Sequence, residues 1–385
     1  MRTRLRLPIH RSAWLTLLAT VTLFLSIFLN GLTTAPAFEH LMDFGSFIAA
    51  SRENAQGNDP YTTRSPLVFQ IHSQRTGQVL LSPNLNPPLS LLLFSPLASL
   101  NPLRAANGWR MTSAALYAAC ILLLALAYPR AASIPRLIWA VSLAGFWHTL
   151  AVGQIYILLL LPILAVWILT ERGYLVLAGI ALGGIIALRP NFLFWLALLA
   201  VSGDRVVVRS ALISGLALSI LPIAVYGPSV YAQWLSALTA YPGAGLLIAG
   251  NSSLASLMAR AGSPLPDLLL AVPFAIIMLF ILNRTRKNKP LEHIHMLGLV
   301  GSLLISPFSW VGYTILTLPI FLTREHWSWQ LVLAAALLAF PYLLVLMFFQ
   351  VSMLSSIVFG WVYGWGLLLI LLEQPAPAQA TLPTA

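Results

Sequence analysis

Long apolar runs separated by short polar turns alternate along the whole chain. A helix that crosses a bilayer needs about 20 mostly apolar residues, and several of the runs reach that length. Shorter runs can also cross where the bilayer is thin or where protein shelters the helix. The pattern predicts an all-α polytopic membrane protein with about twelve transmembrane helices, placed at 13–32, 108–128, 136–152, 155–171, 174–188, 192–201, 207–226, 268–282, 294–306, 313–322, 330–349 and 351–372.

Two long polar loops and one short apolar segment interrupt this series. Residues 33–87 are expected to form the first outer loop, and residues 227–266 the second. The segment 89–100 is too short to span, which favours a re-entrant or interfacial helix on the outer side. Residues 1–372 therefore form one transmembrane domain, and residues 373–385 are expected to be a flexible, Ala/Pro-rich cytoplasmic tail.

Lysine and arginine concentrate in some of the short turns, and such turns usually lie in the cytoplasm. The most basic turn, 283–289, contains both lysines of the chain. This rule places the N-terminus inside and the long loops outside a plasma membrane. A cleaved signal peptide is the alternative for the first run, because arginines precede it and Ala35-Pro36-Ala37 follows it. A full-length span favours a retained helix.

Composition supports a membrane protein, since 59% of the residues are hydrophobic and only 8% are charged. Soluble domains are about one quarter charged. The net charge of +11 does not indicate a nucleic-acid partner, because the basic residues lie in short clusters between apolar runs. Cys120 is the single cysteine, which excludes an intramolecular disulfide. No Gly-rich phosphate loop is present, which argues against an ATP-driven function.

Polar motifs that are not charge clusters all fall on the outer side of this topology. Polar groups at a membrane edge are costly and tend to mark a site. Asp43 is one helical turn from Glu39, and a buried carboxylate at this place is suited to act as a general base; a solvated loop is the alternative. Metal-like spacing in Glu292-His293-Ile294-His295 has a structural or solvated interpretation beside the basic turn, and we predict neither metal nor cofactor.

Several of these motifs follow one another in the order found in a known family. They are Asp43-Phe44-Gly45, Gly57-Asn58-Asp59-Pro60-Tyr61, Asn86-Pro87-Pro88-Leu89, Gly153-Gln154, Arg189-Pro190, Asn251-Ser252-Ser253 and Ser306-Pro307-Phe308-Ser309-Trp310. In this set the chain resembles glycosyltransferase family 87. The resemblance implies the GT-C fold, with short interfacial helices in the first outer loop and a catalytic aspartate, here Asp43.

The resemblance further implies that a hexose, usually mannose, moves from a polyprenyl-phosphate-sugar donor to a lipid or glycan acceptor on the outer face. A phosphodiester is already a good leaving group, so one carboxylate that deprotonates the acceptor hydroxyl is sufficient. Most glycosidases instead use two carboxylates. We therefore expect a single displacement with inversion, catalysed by Asp43.

The leaving phosphate needs compensating positive charge, and arginine binds phosphate through paired hydrogen bonds. The candidates are Arg189, Arg260 and Arg64; snorkelling at a helix end is the alternative for Arg189. Further substrate contacts are predicted for Glu39, Asp59, Tyr61, Asn86, Gln154, Asn191, Asn251, Trp310 and Tyr313. Two departures from the family stand out: Arg189 replaces a common lysine, and Gly312-Tyr313 occurs where a histidine is frequent.

Two other classes of protein fit a helical membrane bundle. A secondary transporter or lipid-carrier flippase should show inverted repeats and ionisable groups near the midplane. The chain has no convincing repeat, and its central runs contain almost no acids. A non-catalytic membrane scaffold would not explain why the polar motifs cluster on the outer side. The sequence specifies no oligomeric state.

Overall fold

The computed structural model describes residues 20–31, 42–62, 84–240, 245–263, 271–285 and 290–373. This part of the chain is helical and contains no β-strand, which confirms the all-α prediction. Numbered in chain order, its α-helices are α1 (Thr20–Gly31), α2 (Met42–Ala55), α3 (Leu89–Ala98), α4 (Pro102–Ala127), α5 (Ile134–Ser142), α6 (Ala144–Val152), α7 (Tyr156–Glu171), α8 (Leu175–Leu188), α9 (Leu193–Ser202), α10 (Arg205–Tyr226), α11 (Ser229–Ala240), α12 (Leu254–Arg260), α13 (Ala271–Thr285), α14 (Leu291–Ile305), α15 (Leu318–Leu322), α16 (Trp329–Leu338), α17 (Tyr342–Phe348), α18 (Met353–Val358) and α19 (Val362–Leu372). Short 3-10 helices at Pro190–Phe192 and Val311–Thr317 complete the set.

Most of the predicted apolar runs correspond to helices. Helix α4 begins earlier than the predicted run 108–128, because Asn101 caps it: the Asn101 side chain accepts hydrogen bonds from two backbone N–H groups of the first turn. The predicted break at Gly153 is present, and Gly153 ends α6 with a positive φ of 72°. Helix α3 has 10 residues, too few to span a bilayer, as expected.

The predicted number of crossings is not confirmed. Among the described residues, α4 and α10 are long and apolar enough to cross a membrane, and α16 with α17 would make a third span. The remaining apolar helices have 10–17 residues. Both α4 and α10 expose large aliphatic side chains, among them Leu126 and Ile213. These surfaces are compatible with a membrane protein, and they do not support a count near twelve.

Three helices that were predicted to be continuous are each divided into two in the structure. The run 136–152 is broken at Leu143, between α5 and α6. The run 330–349 bends by 75° between α16 and α17, where Pro341 lacks the N–H that a continuous helix needs. Tyr363 donates a hydrogen bond to the carbonyl of Phe340 at this break, which satisfies an acceptor that the helix cannot. The run 351–372 is divided between α18 and α19.

The segment 227–266, predicted as the second outer loop, contains α11 and α12. In α12, the Ser253 side chain accepts a hydrogen bond from the Ser256 N–H, so the polar motif before the helix serves as its N-cap. Folding this segment brings residues 245–249 back onto the bundle. The tail 374–385 lies outside the described residues.

Helices α7 and α14 form the centre of the bundle. Every residue from His293 to Leu304 is buried in α14, and α7 packs against α4, α8 and α14. Helices α8 and α10 approach closely, because Gly179 and Gly183 present no side chain to the α10 backbone. A Cβ at Gly183 would lie 2.5 Å from the carbonyl oxygen of Ala211. This close packing fixes the end of α8, from which Arg189 extends.

Candidate active site

A cavity of about 460 Å³ lies where the ends of several helices meet. We call it the main cavity. Its wall is formed by the first turn of α2, residues 85–87, the end of α6, Gln154 and Tyr156, residues 189–191, α11, residues 248–249, residues 306–308, Trp310, Tyr313 and Tyr342. Several of the polar motifs that the sequence distributes over more than 250 residues therefore line the same cavity.

Asp43 lies in the first turn of α2 and faces the main cavity together with Met42 and Ser46. Helix α2 is held in place by aromatic packing of the residues that follow Asp43. Phe47 stacks on Phe94 with 4.4 Å between ring centroids, and Phe44 also contacts Phe94. Because α2 is fixed against α3, the Asp43 carboxylate in its first turn has a defined position.

Gln154 connects Asp43 to Arg189. The Gln154 Oε1 atom accepts a hydrogen bond from Arg189 Nη2 at 3.1 Å. Since that end of the amide is an acceptor, the amide nitrogen is the donor in the hydrogen bond between Gln154 and the Asp43 side chain. The carboxylate and the guanidinium are thus joined through one neutral side chain.

Burial raises the pKa of Asp43 to about 6. Two weaker effects oppose this rise, namely the hydrogen bond from Gln154 and the positive charge of Arg189. A carboxyl group with this pKa is ionised at neutral pH and is still a stronger base than a solvent-exposed aspartate. This combination suits a general base. Among the described residues that line the main cavity, Asp43 is the only acid.

Arg189 is held at the junction of α8 and the following 3-10 helix. Its guanidinium carbon lies 5.2 Å from the ring centroid of Tyr156 and 5.7 Å from that of Tyr313. The two tyrosine rings are only 4.1 Å apart at their centroids. Gly312 makes this approach feasible, because a Cβ there would lie 2.5 Å from the Tyr156 ring. The Nε atom of Arg189 is buried and has no hydrogen-bond partner among the described residues.

Asn251 organises the cavity wall from behind. Its side-chain nitrogen donates to the carbonyls of Gly245 and Pro307, and its oxygen accepts from the N–H groups of Ser253 and Ser309. Asn251 is fully buried and is not part of the cavity lining. The structure therefore gives it a positioning role for residues 306–310, and the predicted substrate contact stays a prediction.

Three further predicted residues lie outside the lining. Arg260 is 4% exposed, and its guanidinium donates to Ser256, Ser356 and the carbonyl of Ile248. Tyr61 donates its hydroxyl hydrogen to the carbonyl of Asn86, and Asp59 accepts from the Tyr61 N–H. These contacts support the wall instead of facing the cavity. Glu39 and Arg64 lie outside the described residues.

The structure brings seven of the predicted site residues to the main cavity, namely Asp43, Asn86, Gln154, Arg189, Asn191, Trp310 and Tyr313. Sequence reasoning missed His148, Tyr156, Trp234 and Tyr342, which also line it. His148 and Tyr156 lie in apolar runs, where an aromatic ring is usually a core residue. Only their closeness to Gln154 along the chain hinted at a role.

The comparison with protein families agrees with this geometry. The sequence model of glycosyltransferase family 87 matches residues 84–307, more than half of the chain. The chain therefore belongs to glycosyltransferase family 87, which confirms the resemblance of its motifs and indicates a glycosyltransferase. Neither curated proteins nor solved structures give a match. Asp43 precedes the matched residues, and the fold brings it to Gln154 and Arg189 within them.

Proposed function

We propose that the chain transfers a hexose, with mannose as the expected sugar, from a polyprenyl-phosphate-sugar donor to a lipid or glycan acceptor. In this proposal it is a hexosyltransferase of the plasma membrane, with its main cavity on the extracytoplasmic face. The observation that carries the proposal is the placement of one carboxylate, Asp43, beside Gln154 and Arg189 on the wall of one cavity.

Asp43 acts as the general base in this mechanism. Its carboxylate takes the proton of the acceptor hydroxyl while the hydroxyl oxygen attacks the anomeric carbon of the donor sugar. The bond between the anomeric carbon and the phosphate oxygen breaks, and polyprenyl phosphate leaves with both bonding electrons. Attack on the face opposite the leaving group inverts the anomeric configuration. No acid is needed, because the phosphate leaves as a stable anion.

Arg189 stabilises the negative charge that develops on the leaving phosphate. Gln154 keeps Arg189 from forming a direct ion pair with Asp43, since it bonds to both. A direct ion pair would lower the pKa of the base further and would occupy the cation that the phosphate needs. The rings of Tyr156 and Tyr313, tilted by 36° to each other, contact the guanidinium as well.

Aromatic side chains supply a surface for the apolar face of a sugar ring. Phe308 and Trp310 lie nearly parallel in the cavity wall, with 11° between their planes, and Trp234 lines the cavity from α11. Beside them, Leu247 and Ile248 are exposed, and Ile248 also lines the cavity. An apolar edge of this kind suits a substrate that arrives on a lipid carrier.

The proposal is tested with purified protein, a polyprenyl-phosphate-mannose donor and a panel of lipid and glycan acceptors. We expect Asp43→Asn to lower the transfer rate by about 10²- to 10⁴-fold, the usual contribution of a general base. Asp204→Asn is the matched control, because Asp204 caps α10 and asparagine caps a helix equally well. Transfer by Asp43→Asn at the rate of Asp204→Asn would overturn the mechanism.

A further inference from the structure

A second cavity of about 240 Å³ lies at the other end of α7. We call it the distal cavity. Tyr156, the first residue of α7, lines the main cavity, whereas Trp167, Thr170 and Glu171 near its last turn line the distal cavity. A helix of 16 residues is about 24 Å long, so the two cavities are separate sites. Helix α14 completes the wall with Leu291, Glu292 and His295, and Thr323 follows α15.

His295 is the innermost polar residue of this wall and is only 1% exposed. Its Nδ1 atom accepts a hydrogen bond from Trp195 Nε1 at 3.0 Å. An acceptor at Nδ1 assigns the proton of the neutral ring to Nε2, which makes Nε2 a donor. Among the described residues, this donor has no acceptor.

Two more donors of the distal cavity also lack a hydrogen-bond acceptor among the described residues. The indole Nε1 of Trp167 and the hydroxyl of Thr170 are buried and have no hydrogen-bond partner among the described residues. Buried donors are almost always paired, because leaving one unpaired costs the free energy of its lost hydration. Three of them around one cavity indicate a ligand that supplies acceptors.

Glu171 and Glu292 contribute acceptors to the same cavity. Both carboxylates are held by neighbours. Tyr128 donates its hydroxyl hydrogen to Glu171, and Arg324 Nε lies 3.6 Å from Glu292 Oε1. The distal cavity therefore has donors on its buried side and fixed carboxylates beside them.

This distribution discriminates between ligand classes. An anion would pair with the donors but would be repelled by the two carboxylates, and an amine would leave the donors unpaired. A metal ion is disfavoured because His295 Nε2 carries a proton. A hydroxyl group accepts from a donor and donates to a carboxylate at once. Trp167 adds an aromatic surface, and the volume fits a single six-membered ring.

We propose that the distal cavity binds a cyclic polyol, either a free monosaccharide or the same kind of ring on a lipid headgroup. In the bound state, ring hydroxyls accept hydrogen bonds from His295, Trp167 and Thr170 and donate to Glu171 and Glu292. This proposal goes beyond glycosyl transfer and does not depend on it, because none of these residues lines the main cavity.

Saturation-transfer NMR on the full chain tests the proposal with methyl glucoside and myo-inositol as free probes. The protein must be held in a detergent without a sugar headgroup, since maltosides would compete. In a second arm, the protein is placed in nanodiscs with phosphatidylinositol or with phosphatidylcholine alone. Displacement of the free probe by phosphatidylinositol identifies a lipid headgroup as the ligand, and binding without displacement identifies a free polyol.

Two variants assign the signal to the distal cavity. We expect Glu292→Gln to weaken probe binding about tenfold and Thr170→Val, which keeps the side-chain shape, about threefold. Glu325→Gln is the matched control, because Glu325 forms an ion pair with Arg130 and does not line the cavity. Asp43→Asn separates the two sites, since a signal from the distal cavity persists in it.

Three results would overturn the proposal. The first is the absence of binding by methyl glucoside, myo-inositol and phosphatidylinositol to the wild-type protein. The second is equal binding by wild type, Glu292→Gln and Thr170→Val. The third is loss of the signal in Asp43→Asn, which would assign the bound sugar to the main cavity and leave the proposed transfer reaction intact.

Discussion

The oxygen and the nitrogen of the Gln154 amide bind two different charged residues of the main cavity, and this arrangement affects the pKa of Asp43. Its oxygen accepts from Arg189, and its nitrogen donates to Asp43. The hydrogen bond from Gln154 and the positive charge of Arg189 favour the ionised carboxylate, yet burial outweighs them and keeps the pKa of Asp43 near 6. The side chain that was predicted to bind substrate therefore also lowers the pKa of Asp43.

The pKa of Asp43 makes the transfer rate dependent on pH. Below about pH 6 the carboxyl group is protonated and does not accept a proton, so kcat/KM should rise with pH and level off above that value. Arg189→Met removes the positive charge that lowers this pKa and leaves Gln154 in place, so the inflection should move to higher pH. A pH-rate profile of both proteins measures the shift, and an inflection that stays in place or moves to lower pH contradicts the assignment.

Protonation of Asp43 does not destabilise the folded protein, so unfolding at this group does not explain the lower transfer rate expected below about pH 6. A carboxyl whose folded pKa is raised above the unfolded value of about 3.9 adds stability at low pH and loses that contribution as the pH rises through about 6. Acidification from neutral pH therefore favours the folded state at this group. Circular dichroism across the same pH range is the control.

At the scale of elements, the contact between α8 and α10 depends on glycines. Gly183→Ala would place a methyl group 2.5 Å from the Ala211 carbonyl oxygen and against the Ser214 hydroxyl. We expect this variant to lose about 1–3 kcal/mol of stability, the usual cost of overpacking. Thermal unfolding in detergent measures it.

The neighbouring glycine is a matched control for that variant. A Cβ at Gly184 has its nearest neighbour, Leu218 Cδ1, at 3.7 Å, which is ordinary contact. Gly184→Ala should unfold at the wild-type temperature or slightly above it, because alanine favours a helix more than glycine does. Equal destabilisation by the two variants would show that the loss of stability in Gly183→Ala does not come from the α8–α10 contact.

At the scale of the whole molecule, the two cavities lie at opposite ends of α7, and the predicted topology places them on opposite faces of the membrane. Cysteine labelling in intact cells tests this arrangement. Gln56→Cys, in an exposed turn after α2, should react with an impermeant reagent from outside only. His326→Cys, exposed near the distal cavity, should react only after the membrane is opened.

The native cysteine does not interfere with this measurement, because Cys120 is fully buried. Ser51, which lies in the same predicted outer loop as Gln56, is not suitable for the outer cysteine, because its side chain is only 4% exposed. Labelling of both variants from the same side would contradict the topology and would place both cavities on one face.

The predictable part of the site consists of residues that are polar where the chain is otherwise apolar. Gln154 and Arg189 lie at the ends of apolar runs and Asp43 lies in the first outer loop, and polar groups at a membrane edge are costly unless they serve a site or a structural bond. Tyr156, Trp234 and Tyr342 carry no such signal, because aromatic side chains are also common in protein cores. Asn251 gave the same signal as Gln154, although its four hydrogen bonds stay within the wall.

The length and hydrophobicity of the apolar runs alone determined that the protein is rich in apolar helices. In a chain with 59% hydrophobic residues, the backbone N–H and C=O groups of such runs need hydrogen-bond partners within the run itself, and a helix provides them. The apolar runs also located most helix ends. The tertiary structure decided where helices break, as at Leu143 and Pro341, since a freed carbonyl is tolerated only where another side chain reaches it. It also decided which polar residues meet, because contacts such as that between Asp43 and Gln154 join residues far apart in the chain.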